Sequence, residues 1–406
     1  MDTQNEPLTL TDDAAFMAHP IPAYSAWREA STVHRTHTPD GAPVWLVTRY
    51  DDVRAALSDR RLSLNKALAT TGYRGFSLPP ALDANLLNLD PPDHTRLRRL
   101  VAKAFTARRV DAMRPQIQRV TDRLLDQAVP HDGTLDLIRV LAAPLPMIVI
   151  GDLLGVPPER REVFRTWTNT LLAPSAGSPF TPAEALGHLE DFLRELIAGH
   201  RDVPDDTLLS DLVGVRDGGD ALTEDELTSL AFLLLWAGYE TTVHLIGNGL
   251  LTLLRHPDQM DRLRRDPGLL PASVEEVMRF AGPNPYAIRR FAREDLDLAG
   301  VRIPAGDTVL LLLAAAHRDP RRVTSPDDFD IAREDNPHLG FGYGIHHCLG
   351  APLARLEAQI AIGTVLSRFR RIRLAVPVDS LRWQPSFRSR GLLSLPVVIS
   401  PVQADE

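Results

Sequence analysis

The chain has 406 residues, a formal net charge of −8 and a pI near 5.9, a balance that argues against a general nucleic-acid binder. Hydrophobic residues make up 44% of the sequence, which is enough for a large core. The single cysteine excludes an intrachain disulfide and fits the reducing cytoplasm. The polar, acidic stretch 1–11 has no apolar run typical of a signal peptide or a membrane anchor. We therefore expect a cytoplasmic protein without a membrane anchor and with a loose segment over residues 1–20.

Short elements are expected in the first hundred residues. They are a helix at 21–30, a hairpin with strands at 33–37 and 44–48, a capped helix at 51–57, an irregular stretch at 62–89 and a proline-started helix at 90–100. On the last helix, His94 and Arg98 are four residues apart and therefore share one face. The alternative is that this face is a solvated basic surface.

Helical patterns continue to about residue 215, with a break at 170–182 between two amphipathic helices. The longest uninterrupted helical pattern runs from Thr223 to about Arg255 and begins with a capping box that pairs Thr223 with Glu226. At 1.5 Å per residue this helix would be roughly 50 Å long, enough to cross a whole domain.

The middle of this long helix carries an unusual group of side chains. Ala237 and Gly238 have little or no side chain, so that a flat ligand could lie against the helix, and Glu240 and Thr241 follow after Tyr239. For Thr241 the commoner role is a hydrogen bond to the carbonyl four residues earlier, and Glu240 would by default face water.

The stretch 341–355 reads Phe-Gly-Tyr-Gly-Ile-His-His-Cys-Leu-Gly-Ala-Pro-Leu-Ala-Arg and contains the only cysteine, Cys348. Gly342 permits a turn where side chains would clash, and Gly350 permits the close approach of a large flat group before a helix begins. A thiol at a helix N-terminus lies at the positive end of the helix dipole, which favours the thiolate. A thiolate can serve as the axial ligand of a haem iron.

Other roles for Cys348 remain open on its chemistry alone. A lone cysteine is most often a small buried hydrophobe. It could also be a nucleophile paired with His346 or His347, as in cysteine hydrolases. A zinc site is a poor match, because the paired spacing of zinc ligands is missing.

The stretch resembles the haem-binding signature of the cytochrome P-450 family, F-G-x-G-x-H-x-C-x-G-x-x-L-A-R, with every fixed position filled. Two further matches agree in chain order: Ala-Gly-x-Glu-Thr at 237–241, the family's oxygen-activating motif, and Glu-x-x-Arg at 276–279. The resemblance covers residues 20 to 400. It implies one domain over 1–406, mainly α with small β-sheets, in which one haem b lies between the long helix and the Cys-ligand loop.

The resemblance implies a chemical role for three residues. Cys348 would be the metal ligand, and Glu240 with Thr241 would be the acid–alcohol pair that relays protons to dioxygen. The residues expected to contact the haem are His94, Arg98, Ala237, Gly238, Arg290, Phe341, Gly342, His346, Cys348 and Gly350. Those expected to neutralise its two propionates are His94, Arg98, Arg290 and His346.

The matched Glu276 and Arg279 would have a structural role, locking the segment behind the haem. Arg333 is a candidate third partner, since Tyr343 stands where soluble relatives often have His. The break at 170–182 resembles the family's mobile lid over the substrate cavity. Residues 383–396 are expected to form a terminal β-hairpin whose turn around Phe387 reaches that cavity.

The expected substrate is a hydrophobic small molecule, and secondary-metabolite biosynthesis is the expected setting. The candidate contacts are apolar: Leu87, Leu235, Ala237, Pro285, Ile288 and Phe387. The family implies O2 as co-substrate and a ferredoxin with its ferredoxin reductase as electron donors, and we expect a monomer. A basic patch for the ferredoxin would consist of Arg99, Arg108, Arg109 and Arg355.

The function that follows is a monooxygenase that hydroxylates or epoxidises its substrate. A haem-thiolate enzyme with atypical chemistry, such as a peroxygenase or a catalyst of C–C coupling or nitration, is the nearest alternative. A non-catalytic haem sensor is a second, which the acid–alcohol pair disfavours. A cysteine hydrolase using Cys348 and His346 is a third and would contain no haem.

Overall fold

A computed structural model of the chain describes residues 8–73, 78–83, 85–128, 133–172, 178–217 and 222–401. Within these ranges the fold is mainly helical with small sheets, as predicted. The α-helices are α1 (Ala14–Ala18), α2 (Ile21–Ala30), α3 (Tyr50–Ser58), α4 (Pro80–Asp83), α5 (Asp93–Ala104), α6 (Ala107–Ala112), α7 (Arg114–Gln127), α8 (Pro144–Leu153), α9 (Arg161–Leu172), α10 (Pro182–Asp202), α11 (Leu208–Asp217), α12 (Glu224–Arg255), α13 (Pro257–Arg265), α14 (Leu270–Ala281), α15 (Leu313–Ala316) and α16 (Ala351–Arg368).

Ten short strands form three small sheets in the described part of the chain. The strands are β1 (Val33–His37), β2 (Pro43–Val47), β3 (Leu62–Ser63), β4 (Thr134–Asp136), β5 (Arg290–Ala292), β6 (Leu296–Leu298), β7 (Val301–Ile303), β8 (Thr308–Leu311), β9 (Phe369–Leu374) and β10 (Pro396–Pro401). Their orders are β1-β2-β8-β5-β3, β4-β10-β9 and β6-β7. The first sheet contains β5, which begins at Arg290.

Helix α12 is the centre of the helical core. Its capping box is formed as predicted: the Thr223 hydroxyl accepts from the Glu226 amide, and the Glu226 carboxylate accepts from the Thr223 amide. It has the length and, with a mean hydropathy of 1.3, the composition of a membrane span, yet 56% of that window is buried inside the protein. Apolar side chains on all sides are typical of a helix enclosed by others, and α12 packs against α8, α14 and α16.

Several local predictions are confirmed. Helix α2 has the predicted bounds, and β1 pairs with β2 around Gly41, whose φ of 82° lies in the left-handed region that glycine tolerates. The predicted break at 170–182 falls between α9 and α10, but residues 173–177 lie outside the described ranges. The predicted lid role of this break stays a prediction.

The prediction of a loose segment over residues 1–20 is wrong for its described part, residues 8–20. Met17 is fully buried, Thr36 donates a hydrogen bond to the Leu8 carbonyl, and Arg390 donates to the Met17 carbonyl. The sequence shows only polar composition here, whereas tertiary contacts decide the order of this segment. Residues 1–7 lie outside the described ranges, and the single-domain assignment stays a prediction.

Two further details differ from expectation. Helix α3 has no side-chain cap, because Arg49 stands at its N-cap position. The predicted hairpin at 383–396 is reduced to one β-bridge, between Trp383 and Leu392. Strand β10, which begins at Pro396, does not pair within this segment but with β9 and β4.

Candidate active site

A large cavity lies between α12 and the loop that contains Cys348. Its volume is about 530 Å³, within the range of small-molecule and cofactor sites. Most of its wall is apolar, and a few polar side chains converge on it from α5, α12, β5 and the segment 384–389.

The face of α12 that lines the cavity carries two small residues, as predicted. Ala237 is exposed there, and a Cβ on Gly238 would stand only 2.8 Å from the Ile150 side chain. The Thr241 hydroxyl donates to the Ala237 carbonyl across 2.7 Å, and Thr242 donates to the Gly238 carbonyl across 2.8 Å. Such back-bonding leaves the hydroxyl oxygen of Thr241 free to accept a proton donor from the cavity.

The Cys348 loop turns tightly so that the sulfur points into the cavity. The Cys348 amide donates to the Phe341 carbonyl across 2.7 Å, and Gly342 and Gly344 have φ values of 75° and 77°. The sulfur is exposed, but to the cavity rather than to the outer surface. A Cβ added to Gly350 would lie 3.9 Å from this sulfur. Apart from its chain neighbours, it would meet no other atom of the described residues within 4 Å. The loop thus forms an open cradle around one thiol.

The helix N-terminus favours the Cys348 thiolate, as expected, but burial opposes it more strongly. Burial raises the pKa of the Cys348 thiol, and the amides of Gly350 and Ala351 and the Arg98 guanidinium only oppose this effect. The enclosed position outweighs the helix dipole, so the thiol alone is poorly ionised. A bound cation would deprotonate it, as metals do with thiol ligands.

Four basic side chains meet at another wall of the cavity. His94 and His346 have ring centroids 4.1 Å apart, and Arg290 is almost fully buried beside them. Burial, then the charges of His94, Arg290 and Arg98, lower the pKa of His346 to about 3. In the described structure neither ring nitrogen of buried His94 has a hydrogen-bond partner. This cluster of basic side chains is suited to bind an anionic group.

Glu240 is held by side chains that the sequence did not single out. Gln384 Nε2 and Ser389 Oγ donate to Glu240 Oε1 across 2.9 and 3.0 Å, and His244 Nε2 lies 3.5 Å from the same oxygen. The nearby His244, and then the hydrogen bonds from Gln384 and Ser389, outweigh burial and lower the pKa of Glu240. Glu240 therefore does not face bulk water, contrary to its default role on a helix. The i, i+4 spacing of His244 was a visible signal, whereas the loop contacts were not.

The Glu276–Arg279 pair is fully buried behind the Cys348 loop. Two hydrogen bonds of 2.8 Å join the guanidinium to the carboxylate. Arg333 is indeed a further partner, with Nε 3.2 Å from Glu276 Oε2, and Asn336 donates to that oxygen across 3.1 Å. The network joins α14 to the segment that leads into the loop.

Arg355 has a different role from the one predicted. Its guanidinium donates to both oxygens of Glu275 and stacks 4.3 Å from the centre of the Phe341 ring. Arg109, in turn, is paired with Asp211. Two members of the predicted basic patch are therefore already neutralised, because a cluster of arginines in sequence does not show which acids the fold brings to them.

Two predicted substrate contacts are wrong. Leu235 is 1% exposed and does not line the cavity, because it lies two residues from Ala237 on α12 and points to the opposite side. Pro285 lines a separate cavity of about 20 Å³ with Tyr24 and Arg390. The remaining candidates do line the large cavity: Leu87, Ala237, Ile288 and Phe387.

The residues around the large cavity fit a planar metal macrocycle with two carboxylates. The cavity offers one cysteine sulfur, a helix face with small residues and a cluster of basic side chains. These features define a haem-thiolate type of site. They also agree with what comparison with known proteins shows.

The family sequence profile described as Cytochrome P450 matches residues 183–267 and 268–389. The chain is 47% identical over 407 residues to Cytochrome P450 107B1 of Saccharopolyspora erythraea, covering 98% of this chain and 99% of that protein. It is 41% identical over 376 residues to the mycinamicin IV hydroxylase/epoxidase of Micromonospora griseorubida, covering 92% and 94%. The ligand-free structure of the P450 monooxygenase TamI matches with a TM-score of 0.88 and 46% identity, covering 97% of this chain and 94% of that one. The chain belongs to the cytochrome P450 family, and it is a monooxygenase whose cofactor is haem b.

Proposed function

We propose that Cys348 is the axial ligand of the haem iron in this monooxygenase. The observation that carries the proposal is the Cys348 sulfur, the only one available from a cysteine, exposed to the cavity that Ala237 and Gly238 also line. When bound, the haem supplies the binding and activation of dioxygen, and a thiolate ligand favours O–O cleavage.

The cationic cluster would anchor the cofactor through its propionates. His94, Arg98 and Arg290 meet there without a carboxylate among their hydrogen-bond partners in the described structure. Two propionates would offset this charge and satisfy the His94 ring. The glycines at 342 and 350, with Phe341, would let the macrocycle lie against the loop.

The acid–alcohol pair would deliver protons to the site of oxygen activation. Thr241 Oγ1 faces the cavity and can accept a hydrogen bond while it donates to the Ala237 carbonyl. Glu240 lies one residue away, and its carboxylate is held at the rim by Gln384 and Ser389. Glu240 would take up protons from the solvent side and pass them to the hydroxyl of Thr241.

The substrate we propose is a hydrophobic secondary metabolite of the polyketide or macrolide type, hydroxylated or epoxidised by one atom of dioxygen. The apolar wall, to which Leu87, Ile288 and Phe387 contribute, supports a largely hydrophobic ligand. The relative named mycinamicin IV hydroxylase/epoxidase supports both reaction types.

Electrons come from a redox partner, and we propose a ferredoxin with its ferredoxin reductase. We further propose that the protein acts as a monomer in the cytoplasm. The single cysteine, which permits no intrachain disulfide, supports the cytoplasmic location.

The test is turnover with a panel of macrolactones and hydrophobic polyketide-type acids under isotopically labelled dioxygen, with a ferredoxin and its reductase. We expect one labelled oxygen atom in the product, and no product from Cys348→Ala. Product formation without dioxygen incorporation, or unchanged turnover in Cys348→Ala, would overturn the proposal.

A further inference from the structure

Two arginines line the cavity away from the cationic cluster around His346. Arg289 precedes β5, and Arg388 lies in the segment after Phe387. The charges that act on His346 are those of His94, Arg290 and Arg98, whereas Arg289 interacts with Arg388 and Tyr73. The cavity therefore has positive charge at its substrate side as well as at its cofactor side. The two regions adjoin, because burial and then the charge of Arg289 lower the pKa of its chain neighbour Arg290.

Arg289 is held in place by a neutral partner. Its Nη2 donates to Asn88 Oδ1 across 2.7 Å, and within the described ranges its buried Nε has no hydrogen-bond partner. No ion pair with a described residue neutralises it. Burial lowers the pKa of Arg289 from its ordinary value, and the charge of Arg388 acts in the same direction. An enclosed guanidinium of this kind is stabilised by an anion that enters the cavity.

Asp83 is a carboxylate whose charge opposes the lowering of the Arg289 pKa, and it already has partners of its own. Asp83 pairs with Lys66 across 2.6 Å and accepts a hydrogen bond of 2.9 Å from Asn88 Nδ2. The Asn88 amide thus stands between Asp83 and Arg289, with its oxygen turned to the guanidinium. Asn88 orients Arg289 without cancelling its charge.

Arg388 is positioned by aromatic rings. Its guanidinium carbon lies 5.0 Å from the centre of the Tyr73 ring and 5.4 Å from that of Phe387. Burial raises the pKa of Tyr73, and the charges of Arg388 and Arg289 oppose that rise. The two arginines, Tyr73 and Phe387 together form a half-apolar, half-cationic end of the cavity.

We propose that Arg289 and Arg388 bind a carboxylate of the substrate, so that the natural substrate is a hydrophobic acid rather than a neutral or cationic molecule. This inference rests on the proposed function and narrows its substrate class. The planar fork of arginine matches a carboxylate through paired hydrogen bonds, and the surrounding rings would hold the adjacent carbon chain. The anchored acid would leave the rest of the molecule to extend toward Ala237.

The test uses pairs of hydrophobic carboxylates and their methyl esters, from dodecanoate to ring-containing acids, titrated calorimetrically into the ferric holoenzyme. We expect at least one acid to bind about tenfold tighter than its ester, the size of one charge-assisted hydrogen bond. Arg289→Gln and Arg388→Gln should each remove this preference while leaving the affinity for the ester unchanged. Arg382→Gln is the matched control, because Arg382 is exposed on the same segment and does not line the cavity.

Three outcomes would overturn the inference. One is that no acid binds, or that acids bind no better than their esters in the wild type. Another is that Arg289→Gln weakens acid and ester equally, which would indicate general damage to the cavity. The last is that Arg289→Gln, unlike Arg382→Gln, loses haem, which would assign Arg289 to a propionate. A wild type without haem-thiolate absorption would instead refute the proposed function, so the two failures are distinguishable.

Discussion

Gln384 Nε2 donates a hydrogen bond to Glu240 Oε1 across 2.9 Å, and this bond joins residues 144 positions apart in the chain. Ser389 donates to the same oxygen. Between these two donors lies Phe387, which lines the cavity. The acid proposed for proton delivery is thus tied to the loop that we propose to contact the substrate, and a ligand that moves Phe387 would also act on Glu240.

Removal of both donors, in Gln384→Leu with Ser389→Ala, should release Glu240 and disturb proton delivery. We expect the share of electrons lost to peroxide to rise several-fold, and the solvent isotope effect on turnover to change, because one proton path would be disordered. The measurement is peroxide formed per reduced cofactor consumed.

The matched control for this pair is Ser380→Ala, because Ser380 is exposed and its hydroxyl donates to the nearby Pro377 carbonyl. Unchanged coupling in the double variant would show that its two donors only support the loop.

Thr241→Ala removes the hydroxyl that faces the cavity. We expect oxygen consumption to continue while product formation falls about tenfold or more, with peroxide making up the difference. Thr241→Ser should restore most of the coupling, because the hydroxyl is retained. If Thr241→Ala remains fully coupled, proton delivery uses another route.

The Glu276–Arg279 pair should be essential for stability. Glu276→Ala would leave a guanidinium buried without its carboxylate and should cost about 3–5 kcal/mol of unfolding free energy. Glu195→Ala removes an exposed partner of Arg160 and should cost less than about 1 kcal/mol. Denaturant unfolding of both variants tests this contrast, and equal losses would contradict it.

Glu357 should make stability depend on pH. Burial raises the pKa of its carboxyl to about 8, and Oε2 has no hydrogen-bond partner among the described residues. In the unfolded chain a glutamate titrates near about 4.3. Between these values the folded state holds a proton that the unfolded state releases, so stability falls as the pH rises from about 4.3 to about 8.

Glu357→Gln removes this titration. We expect the variant to match the wild type near the acid end of that window and to have a higher melting temperature at its alkaline end. Melting curves across the window measure the effect, and parallel curves for the two proteins would refute the assignment.

Much of the site could be predicted from the sequence because its parts are local. The Cys348 loop needs glycines at fixed offsets from one sulfur, and the flat face of α12 needs two small residues before Glu240. Helical spacing alone placed His94 and Arg98 on one face. Such features depend on neighbours within a few positions, where residue type and geometry are closely linked.

The errors arose where distant segments meet. Arg390 donates a hydrogen bond to the carbonyl of buried Met17, and residues 384–389 supply two donors to Glu240. The error at Leu235 has a different origin, because helix geometry alone indicates the correct neighbour. Leu234 lies three residues before Ala237, shares its face of the helix and lines the cavity. The sequence pattern predicts which residues share one face of a helix, whereas only the folded structure shows which segment packs against that face.

The most direct test of the central claim is the carbon monoxide difference spectrum of the dithionite-reduced protein. We expect a strongly red-shifted Soret band, the sign of a thiolate on the iron, and its loss in Cys348→Ala. A haem band without that shift would mean that Cys348 is not the ligand. A folded protein with no haem band would contradict the account of the site as a whole.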